Sequence, residues 1–264
     1  MRYRRFRAAG SRGDITVLLS IPNIEEALGV WHSEPATARK RLQIVRDLAG
    51  FGSLLKQPSD LFADVIRAYA ASGPEPSPLL ARQQRLHFAS VLDKIADGGG
   101  ATYSGLITRI LADVKALKEA FKASMSEGRA QSLTELTAQG YTRQDLRTMS
   151  FEGYFTRGAE EWAAGFADGI GAGAPWRERG FDGLLAIRTV RLGVGVAMSL
   201  VHAQICDDRA PDFGDGYDLW HTILASTADV FVTREQRLHD HVARVPGVSG
   251  FRVVKSLAAA LGGT

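Results

Sequence analysis

The chain has 264 residues, of which 45% are hydrophobic and 23% charged, so it can bury one large core or a smaller domain with an insertion. Its single cysteine excludes a disulfide framework and a CxxC zinc site, and a reducing, cytoplasmic location is expected. The formal net charge of +3 is compatible with a nucleic-acid partner, but an imbalance this small does not indicate one by itself.

The N-terminal residues predict a basic helix followed by a strand. The helix is predicted over residues 2–12, where Arg2, Arg4 and Arg5 either contact nucleic-acid phosphates or belong to a solvated face. The run ITVLLS at 15–20 is rich in apolar and β-branched residues and is bounded by Asp and Pro, which predicts a buried strand.

A helix is predicted after this strand, with Asn23 as its cap and with Glu25 and Glu26 in its first turns. Helical periodicity then continues through the middle of the chain. Further helices are predicted over residues 79–96, 102–126, 130–138, 142–148 and 151–168.

The longest apolar stretch is LGVGVAMSLVHAQIC at 192–206, the end of a helix predicted to begin near residue 180. It is shorter than the roughly 20 residues that a membrane span requires. We therefore expect a buried helix and no membrane partner, and we expect His202 to be a hydrogen-bonded core residue.

Strands alternate with helices in the C-terminal part, which favours parallel pairing within one sheet. The predicted order is a helix at 214–228, a strand at 229–232, a helix at 234–245, a strand at 251–254 and a helix at 255–261. The two ends of the chain, 1–78 and 181–264, are thus predicted to form one sheet-containing domain, and 79–180 is predicted to be a helical insertion.

Four acidic residues are candidates for one metal site. Glu25 and Glu26 follow the first predicted strand, Asp218 lies in the helix before the second, and Glu235 lies just past the second. Open parallel sheets bind ligands at the carboxyl ends of their strands, where these side chains would converge. Clustered carboxylates repel one another unless a cation neutralises them, and Mg²⁺ and Mn²⁺ prefer oxygen ligands. The alternative interpretation is structural, because acids at helix N-termini also stabilise the helix dipole.

Three neighbours of these acids are candidate supporting residues. His221 lies three residues after Asp218 and therefore shares its helix face. Thr233 directly follows the strand at 229–232, and Asp229 begins that strand, at the opposite end from the predicted site.

The segment YDLWHTILASTADVFVTREQRL at 217–238 resembles the C-terminal core of PIN-domain proteins. That family places an Asp on an alanine-rich helix, which is followed by a strand, a threonine and an acid. ITVLLSIPNIEEAL at 15–28 and FRVVKSL at 251–257 resemble the strand before the family's early glutamate and its last strand. The middle of the chain matches no pattern of the family.

This resemblance implies an α/β fold with three layers, in which helices cover both faces of a parallel sheet, here with a large helical insertion. It also implies a site for Mg²⁺ or Mn²⁺ and ribonuclease activity. Asp218, Glu235 and Glu26 are the implied catalytic residues, and Glu25 joins them as a metal ligand. RNA is favoured over DNA as the partner, and a homodimer or an inhibitory partner protein is the further partner to test.

The chain departs from the family pattern in two ways, and two alternatives to a nuclease are open. No strand ending in Asp precedes residue 15, so this ligand is expected either upstream or lost, and Glu235 stands where the family more often has Asp. One alternative is a PIN-like module that binds nucleic acid or protein without catalysis. The other is a purely helical interaction protein with an incidental pair of strands.

Overall fold

A computed structural model of the protein describes residues 16–172, 175–206 and 209–260. Of these described residues, 71% are helical and only 4% are in strands. In chain order its elements are α1 (Ile21–Leu28), α2 (Pro35–Ala49), α3 (Pro58–Ala70), α4 (Arg82–Ala96), α5 (Ser104–Ala138), α6 (Arg143–Thr148), α7 (Phe151–Gly169), α8 (Pro175–Glu178), α9 (Phe181–Ala186), α10 (Arg188–Cys206), α11 (Phe213–Ala225), β1 (Val230–Val232), α12 (Gln236–Arg244), β2 (Arg252–Val254) and α13 (Leu257–Ala260).

The chain divides into two compact units. Unit 1 comprises the described residues up to 57, residues 77–117 and the described residues from 254 onward. Unit 2 comprises 58–76 and the described residues of 118–253, so the division falls inside α5.

Unit 1 is built around an apolar core from α1, α2, α4 and the start of α5. Its best-buried large side chains are Leu28, Leu42, Leu54, Ile95 and Ile107, each at most 2% exposed. Helix α1 begins at a capping box in which the Asn23 amide donates to Ser20 Oγ at 3.2 Å. This box satisfies backbone groups that the first turn would otherwise leave unpaired.

Unit 2 surrounds the helix α10, which contacts α3, α6, α7, α9, α11 and α12. Gly193 and Gly195 let neighbours approach closely, because a Cβ at either position would collide with the side chain of Phe62 or Val245. Helix α10 is also long and apolar enough to span a membrane, with a mean hydropathy of 1.3 over an 18-residue window. However, 83% of that window is buried inside the protein. A buried core helix passes the same test, so this finding does not identify a membrane segment.

The predicted three-layer sheet is wrong. Strands β1 and β2 have three residues each and pair in parallel only with one another among the described residues. Within 16–20, Leu19 alone forms a bridge, to Leu54. Ser20 already caps α1, so the run predicted as a buried strand has no length left to extend a sheet. The core is therefore made by helices packing on helices rather than on a central sheet.

The helix predictions are closer to the structure. Helix α6 begins at a capping box of Thr142 and Asp145, and α7 covers Phe151–Gly169, close to the ranges predicted over 142–148 and 151–168. The two helices expected over 102–126 and 130–138 form one continuous helix, α5, and Ser20 rather than Asn23 caps α1. The basic helix expected at 2–12, with Arg2, Arg4 and Arg5, lies outside the described residues.

Candidate functional site

Three aspartates converge at the start of α11. Asp212 is its N-cap, and its Oδ1 accepts from the amides of Gly214 at 2.7 Å and Asp215 at 3.1 Å. Asp215 completes a capping box by accepting from the Asp212 amide at 3.1 Å. Asp218 follows one turn later on the same face of the helix. We call Asp212, Asp215 and Asp218 the acid cluster.

Two arginines bind the acid cluster, one that precedes it in the sequence and one that follows it. Arg209 donates to Asp212 at 2.9 Å and to both oxygens of Asp215 at 2.9 and 3.0 Å. Arg237, on α12, donates to Asp212 at 2.9 Å and to Asp218 Oδ2 at 3.1 Å. Charge-assisted bonds of this length are the strong ones, and they hold the N-terminal ends of α11 and α12 together.

Burial dominates the electrostatics of Asp218, which is 7% exposed. Burial raises the pKa of its carboxyl, Arg237 lowers that pKa, and the carboxylates of Asp215 and Glu235 raise it again, with a net upward shift. Burial would also raise the pKa of Asp212, but Arg237 outweighs it and leaves that pKa below its usual range. Asp218 and Glu235, predicted as partners, thus lie close enough for their charges to interact.

Glu25 and Glu26, the other predicted ligands, lie on α1 in unit 1, whereas Asp218 and Glu235 belong to unit 2. Within the ranges that the structure describes, no group of three or more His, Cys, Asp or Glu side chains is arranged to hold a metal ion. The four-carboxylate metal site therefore stays a prediction.

The supporting residues serve the local structure. Thr233 Oγ1 accepts from the Glu235 amide at 3.1 Å and so sets the turn that leads from β1 into α12. The His221 ring stacks on Phe231, with centroids 6.4 Å apart. The backbone carbonyl of Asp229 accepts from the Arg252 amide at 3.0 Å, which joins the two strands.

Asp212, Asp215 and both arginines are site residues that the sequence did not predict. A signal for Asp215 was present, because it lies three residues before Asp218 in the helix predicted at 214–228 and so shares its face. No local sequence pattern predicts the pairing with Arg237, because this residue reaches the acids from another helix.

The buried polar side chains of α10 connect this region to its surroundings. Ser199 Oγ lies 2.8 Å from His241 Nδ1, and His202 Nε2 donates to the carbonyl of Met149 at 2.9 Å, as predicted for a bonded core histidine. Gln204 donates from Nε2 to Asp215 at 3.1 Å. Burial first, and then the positive charges of Arg244 and Arg237, lower the pKa of His241 to about 4.

A cavity of about 290 Å³ in unit 2 is lined by residues that include Arg147, His202, Cys206 and Arg244. The Cys206 thiol donates to the carbonyl of Leu146 at 3.0 Å. Both arginines occupy the last turns of their helices, α6 and α12, where a cation stabilises the helix dipole. Stabilisation of the helix dipoles therefore accounts for the positions of Arg147 and Arg244 without a bound anion.

Comparison with known proteins brought no match to this chain from family models, curated proteins or solved structures. The resemblance to PIN-domain proteins therefore stays a prediction from the residues themselves.

Proposed function

We propose that the chain is a metal-dependent nuclease that hydrolyses phosphodiester bonds at the acid cluster. The observation that carries this proposal is an excess of negative charge. Among the described residues, the three carboxylates of the acid cluster are paired with two guanidinium groups, those of Arg209 and Arg237, and the charge of Glu235 acts on Asp218 as well. A site of this composition attracts a hard cation. RNA is preferred over DNA on the resemblance to PIN-domain proteins alone.

The donor set of Asp218 and Glu235 fits Mg²⁺ or Mn²⁺. Both ions prefer carboxylate oxygens, and Mg²⁺ is commonly held by one or two carboxylates, with waters and substrate phosphates completing its shell. Two protein carboxylates in unit 2 therefore suffice. When bound, such an ion lowers the pKa of its water and supplies a nucleophile for attack on phosphorus.

Side chains of the protein orient the two carboxylates and contact the substrate in this proposal. Burial and its place on α11 orient Asp218, and the Thr233 turn places Glu235 at the start of α12. The side chains of Arg209 and Arg237 are 30% and 40% exposed, and we propose that both contact phosphate oxygens of a substrate.

The test is Mn²⁺ calorimetry on the whole chain, together with cleavage of an end-labelled oligoribonucleotide and its DNA counterpart. We expect Asp218→Asn and the exposed Glu235→Gln to lose most of the binding and the cleavage. Asp113→Asn, which removes the same charge from an exposed position in unit 1, should change neither. An intact chain that binds no Mn²⁺ and cleaves neither strand would overturn the proposal.

A second candidate function is binding without catalysis. It is favoured by the large apolar side chains that the described part of unit 1 exposes, which are Ile44, Leu86, Phe88, Leu106 and Leu117. Exposed apolar side chains mark protein–protein contacts where they form one contiguous patch. A second copy of the chain is the partner to test first, by light scattering of the intact protein and of Leu86→Ser with Leu117→Ser. A dimer that the double substitution dissociates, in a protein without cleavage, would favour this candidate.

A further inference from the structure

The cavity of unit 2 brings a thiol, an imidazole and two guanidinium groups together. Cys206 and His202 lie one turn apart on α10, and Cys206 is partly exposed. Arg147 lines the same cavity from α6 and Arg244 lines it from α12, and both arginines are exposed. Three helices thus supply charged or nucleophilic groups around the single thiol of the chain.

Neither of these arginines is neutralised by a carboxylate among the described residues. The ion pairs between described residues all involve other arginines. The C-terminal end of a helix carries only about half a unit of negative charge, which is less than the charge of one guanidinium. Arg147 and Arg244 therefore present net positive charge to the cavity.

The sulfur of Cys206 lies against an oriented imidazole. Cys206 Sγ is 3.4 Å from His202 Nε2 and 3.8 Å from its Nδ1, and Nε2 is held by the carbonyl of Met149 at 2.9 Å. The thiol itself donates to the carbonyl of Leu146 at 3.0 Å, which fixes the position of the sulfur. A nucleophilic side chain that contacts a base, with the base oriented by a third group, is the arrangement that activates a nucleophile.

The charge of the cavity determines what such a thiol reacts with. The thiolate is the form that attacks, and guanidinium groups beside a thiol stabilise it. Positive charge in a cleft also raises the local concentration of anions, and with it their association rate, by about tenfold or more. The cavity volume of about 290 Å³ is at the lower end of the range for small-molecule sites. Together these properties favour a small anionic reaction partner.

We propose that Cys206 is a site of reversible modification by small disulfides that carry carboxylates. His202 accepts the thiol proton, and the Cys206 thiolate attacks one sulfur of the disulfide. A bond forms between Sγ and that sulfur, the original S–S bond breaks, and the other half leaves as a thiolate that takes up the proton. Cys206 is thereby oxidised, and the released half of the disulfide is reduced. This modification does not depend on the proposed nuclease.

The experiment compares two disulfides of opposite charge on the reduced whole chain, with the rate of adduct formation followed by intact mass. The probes are oxidised glutathione, which is anionic, and cystamine, which is cationic. Relative to a short unstructured cysteine peptide, the chain should favour oxidised glutathione by about tenfold or more. Raising the salt concentration to about 1 M should remove most of this preference, because salt screens the charges.

Two double variants of the whole chain locate the charge that is responsible. Arg147→Gln combined with Arg244→Gln should abolish the preference for oxidised glutathione. Arg143→Gln combined with Arg234→Gln removes the same charge from exposed positions that do not line the cavity. This control should change the preference by no more than about twofold, because exposed charges outside the cavity are screened. Circular dichroism checks that both double variants are folded, and the salt dependence tests the same point without any substitution.

The outcomes bear on this proposal alone. A preference that is lost in the cavity variant and kept in the control would support it. A chain that favours oxidised glutathione no more than the peptide does, or that reacts with neither disulfide, would overturn it. Equal loss in both double variants would also overturn it, because net charge and not the cavity would then be responsible. None of these results depends on Mn²⁺ binding or on cleavage of RNA, so the proposed function is tested separately.

Discussion

The two units differ in what they bury. The core of unit 1 is apolar, and its ion pairs, Arg46 with Asp93 and Asp97, lie at the surface with the acids 49% and 65% exposed. In unit 2 the central helix carries polar side chains into the interior, and among them Gln204 meets the fully buried Asp215.

This difference shows which unit accepts the free-energy cost of burying polar groups. Apolar burial stabilises unit 1 without demanding exact partners, whereas each buried polar group in unit 2 destabilises the fold unless it is bonded. A region that retains such groups is the better candidate for function, because burial is what perturbs charge and pKa. Substitutions in the two units should therefore differ in size, in the order that follows.

The largest effect is expected from Asp215→Ala. The change leaves Arg209 and Gln204 without their common partner, so the free energy of unfolding should fall by about 3 kcal/mol. Urea unfolding followed by circular dichroism measures the loss. Asp93→Ala, at an exposed pair 3.7 Å long in unit 1, should cost less than about 1 kcal/mol. Equal losses in the two variants would remove the contrast between the units.

Acid should destabilise unit 2 through His241. The pKa of His241 is about 4 in the folded protein, below its ordinary value of 6.5. Between these pH values the unfolded chain therefore binds a proton that the folded protein does not bind. The contribution of neutral His241 is complete above pH 6.5 and is lost as the pH falls toward 4, by about 3 kcal/mol in all. The raised pKa of Asp218 acts in the opposite direction.

Comparing the pH dependence of unfolding in the intact chain and in His241→Asn isolates this contribution. Asn keeps a partner for Ser199 but does not titrate, so its curve should be flatter between pH 6.5 and 4. Parallel curves for the two proteins would show that His241 is not the group responsible.

A smaller effect is expected from adding one methyl group to a glycine. In Gly195→Ala the new Cβ would lie under 3.0 Å from the side chain of Val245, so α10 and α12 must shift, at about 1–3 kcal/mol. Gly105→Ala, in α5 within unit 1, meets nothing within 4 Å and should be neutral or stabilising by up to about 1 kcal/mol. Thermal unfolding of the two variants measures both changes in stability. A Gly195→Ala variant more stable than the intact chain would contradict the close packing of α10.

The smallest effects should be alike in the two units. Ser20→Ala removes the cap of α1 in unit 1, and Thr142→Ala removes the cap of α6 in unit 2. Each should cost about 1 kcal/mol, because capping depends on local backbone groups and not on what the unit buries. Hydrogen exchange of the first-turn amides would report each loss. A much larger cost in unit 2 would show that α6 also supports the site.

Helices were predictable from the sequence where their signals are local. The apolar periodicity and the caps at Thr142 and Ser150 locate α6 and α7, and the long apolar run locates α10. The run at 15–20 has the composition of a strand, but Ser20 begins a helix and its neighbours supply no sheet to join. Strand composition therefore misled because a strand needs partners that the local sequence does not specify.

The sequence by itself determined most of the helices in the middle of the chain and the spacing of Asp215 and Asp218 on one helix face, because both follow from local geometry. Only the tertiary structure decided that the core is helix on helix, and that Arg237 reaches Asp218 from another helix at 2.9 Å. Burial and charge pairing are long-range properties. The packing of α12 against α10 accordingly brings Arg237 to Asp212 and Asp218, and the residues that flank these aspartates do not determine the pairing.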